Sequence, residues 1–191
     1  CGKLGEHSFG RIQRLCEHLD DLISRSTDAK AARRHRMRKA IARLRWKVKD
    51  LVNEMHHKIA RFLVENFDVI LLPTFETQQM SRRSTRKIGH KSVRSMLTWA
   101  HYRFKQFLKF KAAEFGKLVL DVNEAWTSKT VSWTGEIQAG LGGAKSIRSH
   151  VTGDEMDRDI NGARGVFLRA LGDHPWLKAS IVARVASGNE K

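Results

Sequence analysis

Cysteine is nearly absent from this 191-residue chain, which holds only Cys1 and Cys16. Two thiols cannot build a disulfide framework, nor can they supply a four-cysteine zinc site. Proline is as scarce, and there is no run of the ~20 apolar residues that a membrane span needs. No basic-then-apolar leader opens the chain, so secretion is not suggested. An intracellular location is expected: the nucleus in a eukaryote, cytoplasm or nucleoid in a prokaryote. Acid is short too, with 20 Asp and Glu against 36 Lys and Arg, a net charge of +16. That excess favours a polyanionic partner, most often nucleic acid, over a neutral metabolite; a membrane surface is the weaker alternative. Apolar residues, at 41%, argue against a disordered tail, and the length suits one domain, or one and a half, with a real core. The first residue is Cys1 rather than Met, which reads as a fragment or a processed product.

The positive charge lies in two blocks. Residues 26–66 hold twelve Lys or Arg and four Asp or Glu, and residues 82–117 hold eleven and one, so the remainder is slightly acidic. Phe9, Ile12, Leu15, Leu19, Leu22 and Ile23 predict a helix over about 10–25, followed by turn and N-cap chemistry at Ser26, Thr27 and Asp28. A long helix from Lys30 to about Asn66 carries one apolar stripe through Met37, Ile41, Leu44, Val48, Leu51, Met55, Ile59 and Phe62. Its other faces bear Arg33, Arg34, Arg36, Arg38, Lys39 and Arg43, candidate phosphate ligands whose bland alternative is a solvated helix face.

Asp68 to Leu72 is a short apolar run typical of a strand buried on both faces, ended by Pro73. A polar loop is expected over 77–91. A helix from Ser92 to Phe115 should turn Val93, Met96, Leu97, Ala100, Phe104, Phe107, Leu108 and Phe115 inward, leaving Arg94, Arg103, Lys105, Lys109 and Lys111 outside. Lys117 to Val122 is a second buried strand, and the order helix–strand–helix–strand implies an α/β fold with a parallel pair joined by a helical crossover. Residues 127–157 are glycine-rich without a long apolar run, the pattern of an insertion. Ile160, Ala163, Phe167, Leu168 and Leu171 predict a last helix from about Asp159, closed by Gly172 and Pro175. The tail from Trp176 reads as peripheral.

Three stretches read together: Val119-Leu120-Asp121-Val122-Asn123-Glu124-Ala125-Trp126-Thr127-Ser128-Lys129-Thr130, then Ser149-His150-Val151-Thr152-Gly153, then Asp157-Arg158-Asp159-Ile160-Asn161-Gly162-Ala163-Arg164. Together they resemble the carboxy-terminal half of the TnpB/Fanzor-type RNA-guided nucleases of transposons, relatives of the CRISPR type V effectors, over roughly residues 10–172. The resemblance implies a partial RNase H-like (RuvC-like) fold: core over 1–126 with the long basic helix at about 29–66, a degenerate zinc-ribbon insertion over 127–157, a final helix over 158–175 and a tail. It implies DNA and a guide RNA as partners, no membrane, and two-metal phosphodiester hydrolysis with Mg²⁺ or Mn²⁺ held by acidic side chains.

By that resemblance the last acid is Asp159, in the D-x-N-x-A segment, where Asn161 and Ala163 allow tight packing; otherwise Asp157 and Asp159 are helix N-terminal acids. The second acid of many members falls at Pro73 here, and some members place a Glu after the next strand instead, which is Glu124. Glu76 is the competitor. The first acid lies on a strand before the matched region, so one metal ligand and three antiparallel strands are expected to be missing, and the isolated chain is expected not to cut DNA. The ribbon's four ligand positions correspond to Val131, Thr134, Ser149 and Thr152, none a cysteine, so no zinc is expected, and His150 reads as a loop residue. Arg164 is a candidate phosphate contact. Trp126 and Trp133 are candidates for stacking on unpaired bases, with packing favoured. Alternatives are a catalytically inactive nucleic-acid-binding remnant of a mobile element, a basic structural ribonucleoprotein component, and a membrane-surface binder.

Overall fold

The computed structural model describes residues 4, 6–74, 90–139, 141–142 and 144–188. Glu76 and most of the loop expected over 77–91 lie outside them. The described residues fall into two compact units, one of those up to 68 with 90–118 and the other of 69–74 with those from 119 to 188.

The first unit is helical: α1 (Glu6–Thr27), α2 (Ala31–Asn66), α3 (His90–Trp99) and α4 (His101–Glu114). Ser26 and Thr27 do not cap α2. Their hydroxyls donate to the carbonyls of Ile23 and Ser24 at 2.7 and 2.6 Å and close α1, while α2 starts at Lys30 without a side-chain cap. Both residues lie in the last turn of α1, three or more positions before the N-cap of α2, so neither stands where it could cap that helix. The buried line on α2 runs Met37, Ile41, Val48, Val52, His56, Ala60, Val64. It agrees with the expected stripe as far as Val48 and then advances by fours, so Val52, His56 and Ala60 replace Leu51, Met55 and Ile59, and Phe62 is exposed. At 3.6 residues per turn a line of i+4 steps winds around the helix, and these two small residues and a histidine are what close packing there admits. Ile12, Val48 and Val52 form the core of this unit, with Leu15, Cys16, Leu51 and Trp99 packed against them.

The single helix expected over 92–115 is two. Ala100 breaks it in the left-handed region, at φ 47° and ψ 49°. Nothing in its composition announces the break, since it is neither Gly nor Pro. The Trp99 carbonyl pairs with the buried ring of His56, Nε2 lying 3.0 Å from it. Phe9 stacks on Trp99 with ring centroids 5.2 Å apart. Leu97 and Phe115 are exposed rather than inward, and Leu108 and Ala112 hold the buried positions of α4.

In the second unit β1 (Val69–Pro73) pairs with β2 (Leu118–Val122). The Leu118 N–H donates to the Asp68 carbonyl and the Thr74 N–H to that of Val122, both at 2.9 Å. Starts meet starts and ends meet ends, so the pair is parallel, as expected, and its connection runs through α3 and α4. Val69, Leu71, Leu120 and Val122 share a face with Val166, Ala170, Leu171, Leu177 and Ile181 in one core. Burial on both faces is seen at Ile70, whereas Leu118 and Asp121 are exposed.

Residues 127–157 hold a short antiparallel hairpin, β3 (Ser146–Arg148) with β4 (Glu155–Asp157), and an isolated bridge between Thr130 and Ile137. α5 (Arg158–Asp173) follows directly. Its buried residues are Asn161, Val166 and Ala170, while Ala163, Phe167 and Leu168 are exposed. The inward face is the one with the small side chains, because the helix must come close to the loop after β2: a Cβ on Gly165 would stand 3.1 Å from that of Thr127. Residues 175–188 form α6 (Pro175–Gly188). Pro175 suits the first helical position, and Leu177 is buried in the core, so the expected peripheral tail is packed structure. No helix among the described residues is long and apolar enough to cross a membrane.

Candidate functional site

Asp157 and Asp159 have different positions. Asp157 is the N-cap of α5, its Oδ1 accepting the N–H of Asp159 at 2.9 Å and of Ile160 at 3.3 Å. Both acids are thus helix N-terminal, as the bland alternative has it, but only Asp157 caps; Asp159 presents an exposed carboxylate in the first turn. Two residues on, Asn161 is wholly buried. Its Nδ2 donates to the carbonyls of Thr130 (2.9 Å) and Thr127 (3.5 Å), and its Oδ1 accepts the Ser132 N–H at 2.9 Å. The close approach expected of Ala163 is made by Gly165, and Asn161 fastens the loop rather than merely fitting beside it.

Glu124 opens that loop. Its carbonyl accepts the N–H of Thr127 at 3.1 Å and its hydroxyl at 2.8 Å, so Thr127 ties Glu124 on one side and meets Asn161 and Gly165 on the other. Glu124 is half-buried, and burial pushes its carboxyl above the ordinary value. The backbone carrying Glu124 and the helix opened by Asp159 are therefore one hydrogen-bonded frame. Among the described residues no group of three His, Cys, Asp or Glu side chains is placed to hold a metal ion.

Val131, Thr134, Ser149 and Thr152 occupy two tight turns. The N–H of Gly135 donates to the Val131 carbonyl at 2.8 Å and that of Gly153 to the Ser149 carbonyl at 3.1 Å, with positive φ at both glycines. Between the turns sits Glu136, whose importance the sequence did not signal. Its carboxylate accepts from the hydroxyls of Ser149 and Thr134 (2.8 Å) and from the His150 N–H at 3.0 Å. Buried Ser149 in turn accepts the N–H groups of Val151 and Thr152, both at 3.1 Å. These bonds, from the Ser149 hydroxyl first and the Thr134 hydroxyl next, hold the Glu136 carboxyl below its ordinary value. His150 is exposed, and half-buried Trp133 donates through Nε1 to the Thr152 hydroxyl at 3.2 Å.

Arg33, Arg34, Arg36, Arg38, Lys39 and Arg43 are all exposed on the first half of α2, and Arg34 also donates to the Thr27 carbonyl at 3.0 Å. Arg103 is exposed and Lys105 half-buried on α4. Arg94 departs from the expected surface role: it is half-buried and ion-paired to Asp20 of α1. Arg164 is exposed on α5.

Residues 101–166 match the family described as Cas12f1-like, TNB domain. Over 168 residues the chain is 33% identical to "Putative transposase A625R" of Paramecium bursaria Chlorella virus 1, covering 87% of this chain and 36% of that protein. It is 26% identical to the TnpB-like protein L79 of Acanthamoeba polyphaga mimivirus (85% and 31% covered). To the CRISPR-associated endodeoxyribonuclease Cas12f1 of Sulfoacidibacillus thermotolerans it is 27% identical (68% and 30% covered). The chain is a relative of the TnpB-type transposon-associated nucleases. It spans about a third of the length of those relatives. Its α/β fold resembles part of the chain in the cryo-EM structure of the Cas12f1-sgRNA-target DNA complex, with a TM-score of 0.54 at 16% identity over 85% of this chain and 42% of that one. Both the T-S-K-T segment and the D-R-D-I-N-G-A-R run up to Arg164 fall within the Cas12f1-like, TNB domain match at 101–166.

Proposed function

We propose that these residues are the carboxy-terminal part of a TnpB-type RNA-guided DNA endonuclease, with a partial RuvC-like core and a degenerate ribbon over 127–157. Glu124 and Asp159 are two of its metal-holding carboxylates. The observation that carries this reading is the clamp: buried Asn161 joins the loop after Glu124 to the helix that Asp159 opens. Packing alone would not require a buried amide with three backbone partners between two acids. The exposed arginines of α2 suit contact with a nucleic-acid backbone, with sequence read by base pairing. The relative named a complex with sgRNA and target DNA supports those two partners for the whole protein.

Glu124 and Asp159 suit a hard divalent ion, Mg²⁺ or Mn²⁺, in kind. In number they are too few for two ions, and the remaining carboxylate comes from outside the described residues. When bound, such ions supply charge stabilisation at the scissile phosphate and a more acidic water. The chain's own contribution is to fix the backbone positions of the two carboxylates and to keep Glu124 partly out of water. In the ribbon, Glu136 takes up the Thr134 and Ser149 hydroxyls and the Thr152 hydroxyl accepts from Trp133, and the reading carries no zinc there.

The test is cleavage by a longer protein that includes the preceding segment. Glu124→Ala and Asp159→Ala should each lower cutting by about 100-fold or more, since several kcal/mol of charge stabilisation is lost, with DNA affinity unchanged. Cutting that survives both substitutions would sink the assignment. The second reading, a catalytically inactive binding remnant, predicts DNA binding without cutting even in the longer protein.

A further inference from the structure

Trp126 is out of place for a packing residue. The residue is 62% exposed, and its backbone is held at φ 70°, a left-handed conformation that a side chain this large adopts only when its surroundings impose it. The imposition is visible. The Trp126 carbonyl accepts the N–H groups of Lys129 and Thr130, both at 3.0 Å, and the Thr130 hydroxyl at 2.9 Å. Thr130 is itself held by Asn161. The loop is thus fixed from within, and it puts the indole outside.

Beside the indole is an open cleft of about 250 Å³, lined by Trp126, Val131, Gly135, Gly165, Leu168 and Arg169. Its walls are chiefly apolar, and its cations are close. The Lys129 ammonium lies over one face of the Trp126 ring, 5.5 Å from its centroid, and leaves the other face for a base. Arg169 is on the lining and makes a long, partly exposed ion pair of 3.7 Å with Asp173. A planar apolar wall with cations beside it is the chemistry that takes an aromatic ring carrying an anion. We infer that the Trp126 cleft binds one unpaired nucleobase of a single strand, stacked on the indole, with Lys129 and Arg169 drawing the neighbouring phosphates. A paired base cannot offer its face in this way, so the site selects single strands from duplexes. Trp126 follows Glu124 by two residues, which puts the held base beside the loop that opens with this carboxylate. The inference rests on the nucleic-acid reading above and not on metal binding or cleavage.

The measurement is fluorescence anisotropy with the 191-residue chain and labelled oligonucleotides: single-stranded, duplex, and single-stranded with abasic positions. Trp126→Ala should weaken intact single-strand binding by about tenfold, the range expected for one lost stacking contact, and leave duplex affinity and the salt slope unchanged. Trp126→Phe should restore most of the loss. The parent chain should bind the abasic strand as weakly as Trp126→Ala binds the intact one, and the substitution should add nothing on the abasic strand. Lys129→Ala should instead lower the salt slope by about one. Equal loss on all three oligonucleotides, no loss on any, or a parent chain without single-strand affinity would each overturn the site. Intact binding by Trp126→Ala together with lost cutting by Glu124→Ala would reject this inference alone.

Discussion

The Asn161 side-chain amide donates to the Thr130 carbonyl at 2.9 Å while its oxygen accepts the Ser132 N–H at the same distance. One fully buried side chain thus satisfies two backbone groups of a loop about 30 residues earlier in the chain. Removing it leaves both groups without this partner in a dry setting. Asn161→Ala should lower stability by about 2–4 kcal/mol, read as a shifted urea midpoint with unchanged m value. In the longer protein it should depress cutting with Glu124 and Asp159 both still present.

Gly165 gives an independent test of the same contact. A Cβ there would stand 3.1 Å from the Thr127 Cβ and 3.4 Å from its Cα and carbonyl oxygen. Helix propensity alone favours alanine by up to about 1 kcal/mol. Thr127 is tied to the Glu124 carbonyl and cannot retreat easily, so overpacking should win and Gly165→Ala should destabilise by about 1 kcal/mol net. A stabilised variant in the same unfolding assay would show that the loop yields.

Glu136 makes the 127–157 segment acid-sensitive. Its carboxyl is held low by the Ser149 hydroxyl first and the Thr134 hydroxyl next, so the folded state binds its proton less readily than the unfolded chain. The contribution is full above the ordinary value of 4.5 and is lost as pH falls through and below it. The protection factors of the Val151 and Thr152 amides, taken against the intrinsic exchange rate at each pH, should therefore fall on acidification below that value. Glu136→Gln should lower them at neutral pH and remove the dependence.

His56 acts in the first unit at a higher pH. Burial, the largest cause, pushes its imidazole below the ordinary 6.5. The unfolded chain then binds the proton more readily, so the contribution is complete above 6.5 and declines as pH falls below it. A melting temperature that drops as pH falls below about 6.5, and drops less steeply in His56→Phe because His101, also pushed down by burial, still titrates, is the expected result. That variant also removes the His56 hydrogen bond to the Trp99 carbonyl, at a cost of about 1 kcal/mol.

The sequence by itself determined the first two helices, the parallel pair, the basic first half of α2 and the start of α5. Those follow from local periodicity, short apolar runs and motif spacing, and none needs a distant contact. It did not determine which faces are buried. Ala60 in place of Ile59, and Val166 with Gly165 in place of Phe167, are chosen by how closely a neighbour approaches, and close approach favours small side chains over the most apolar ones. The break at Ala100 is a bargain with His56 of another helix, invisible at residue 100 itself. Leu177 enters the core only because α6 turns back on α5. Tertiary structure likewise distinguished Asp157, the cap, from Asp159 and gave Glu136 and Trp126 their places, since a hydrogen bond between distant residues or a ring left outside its own loop leaves no period in a sequence.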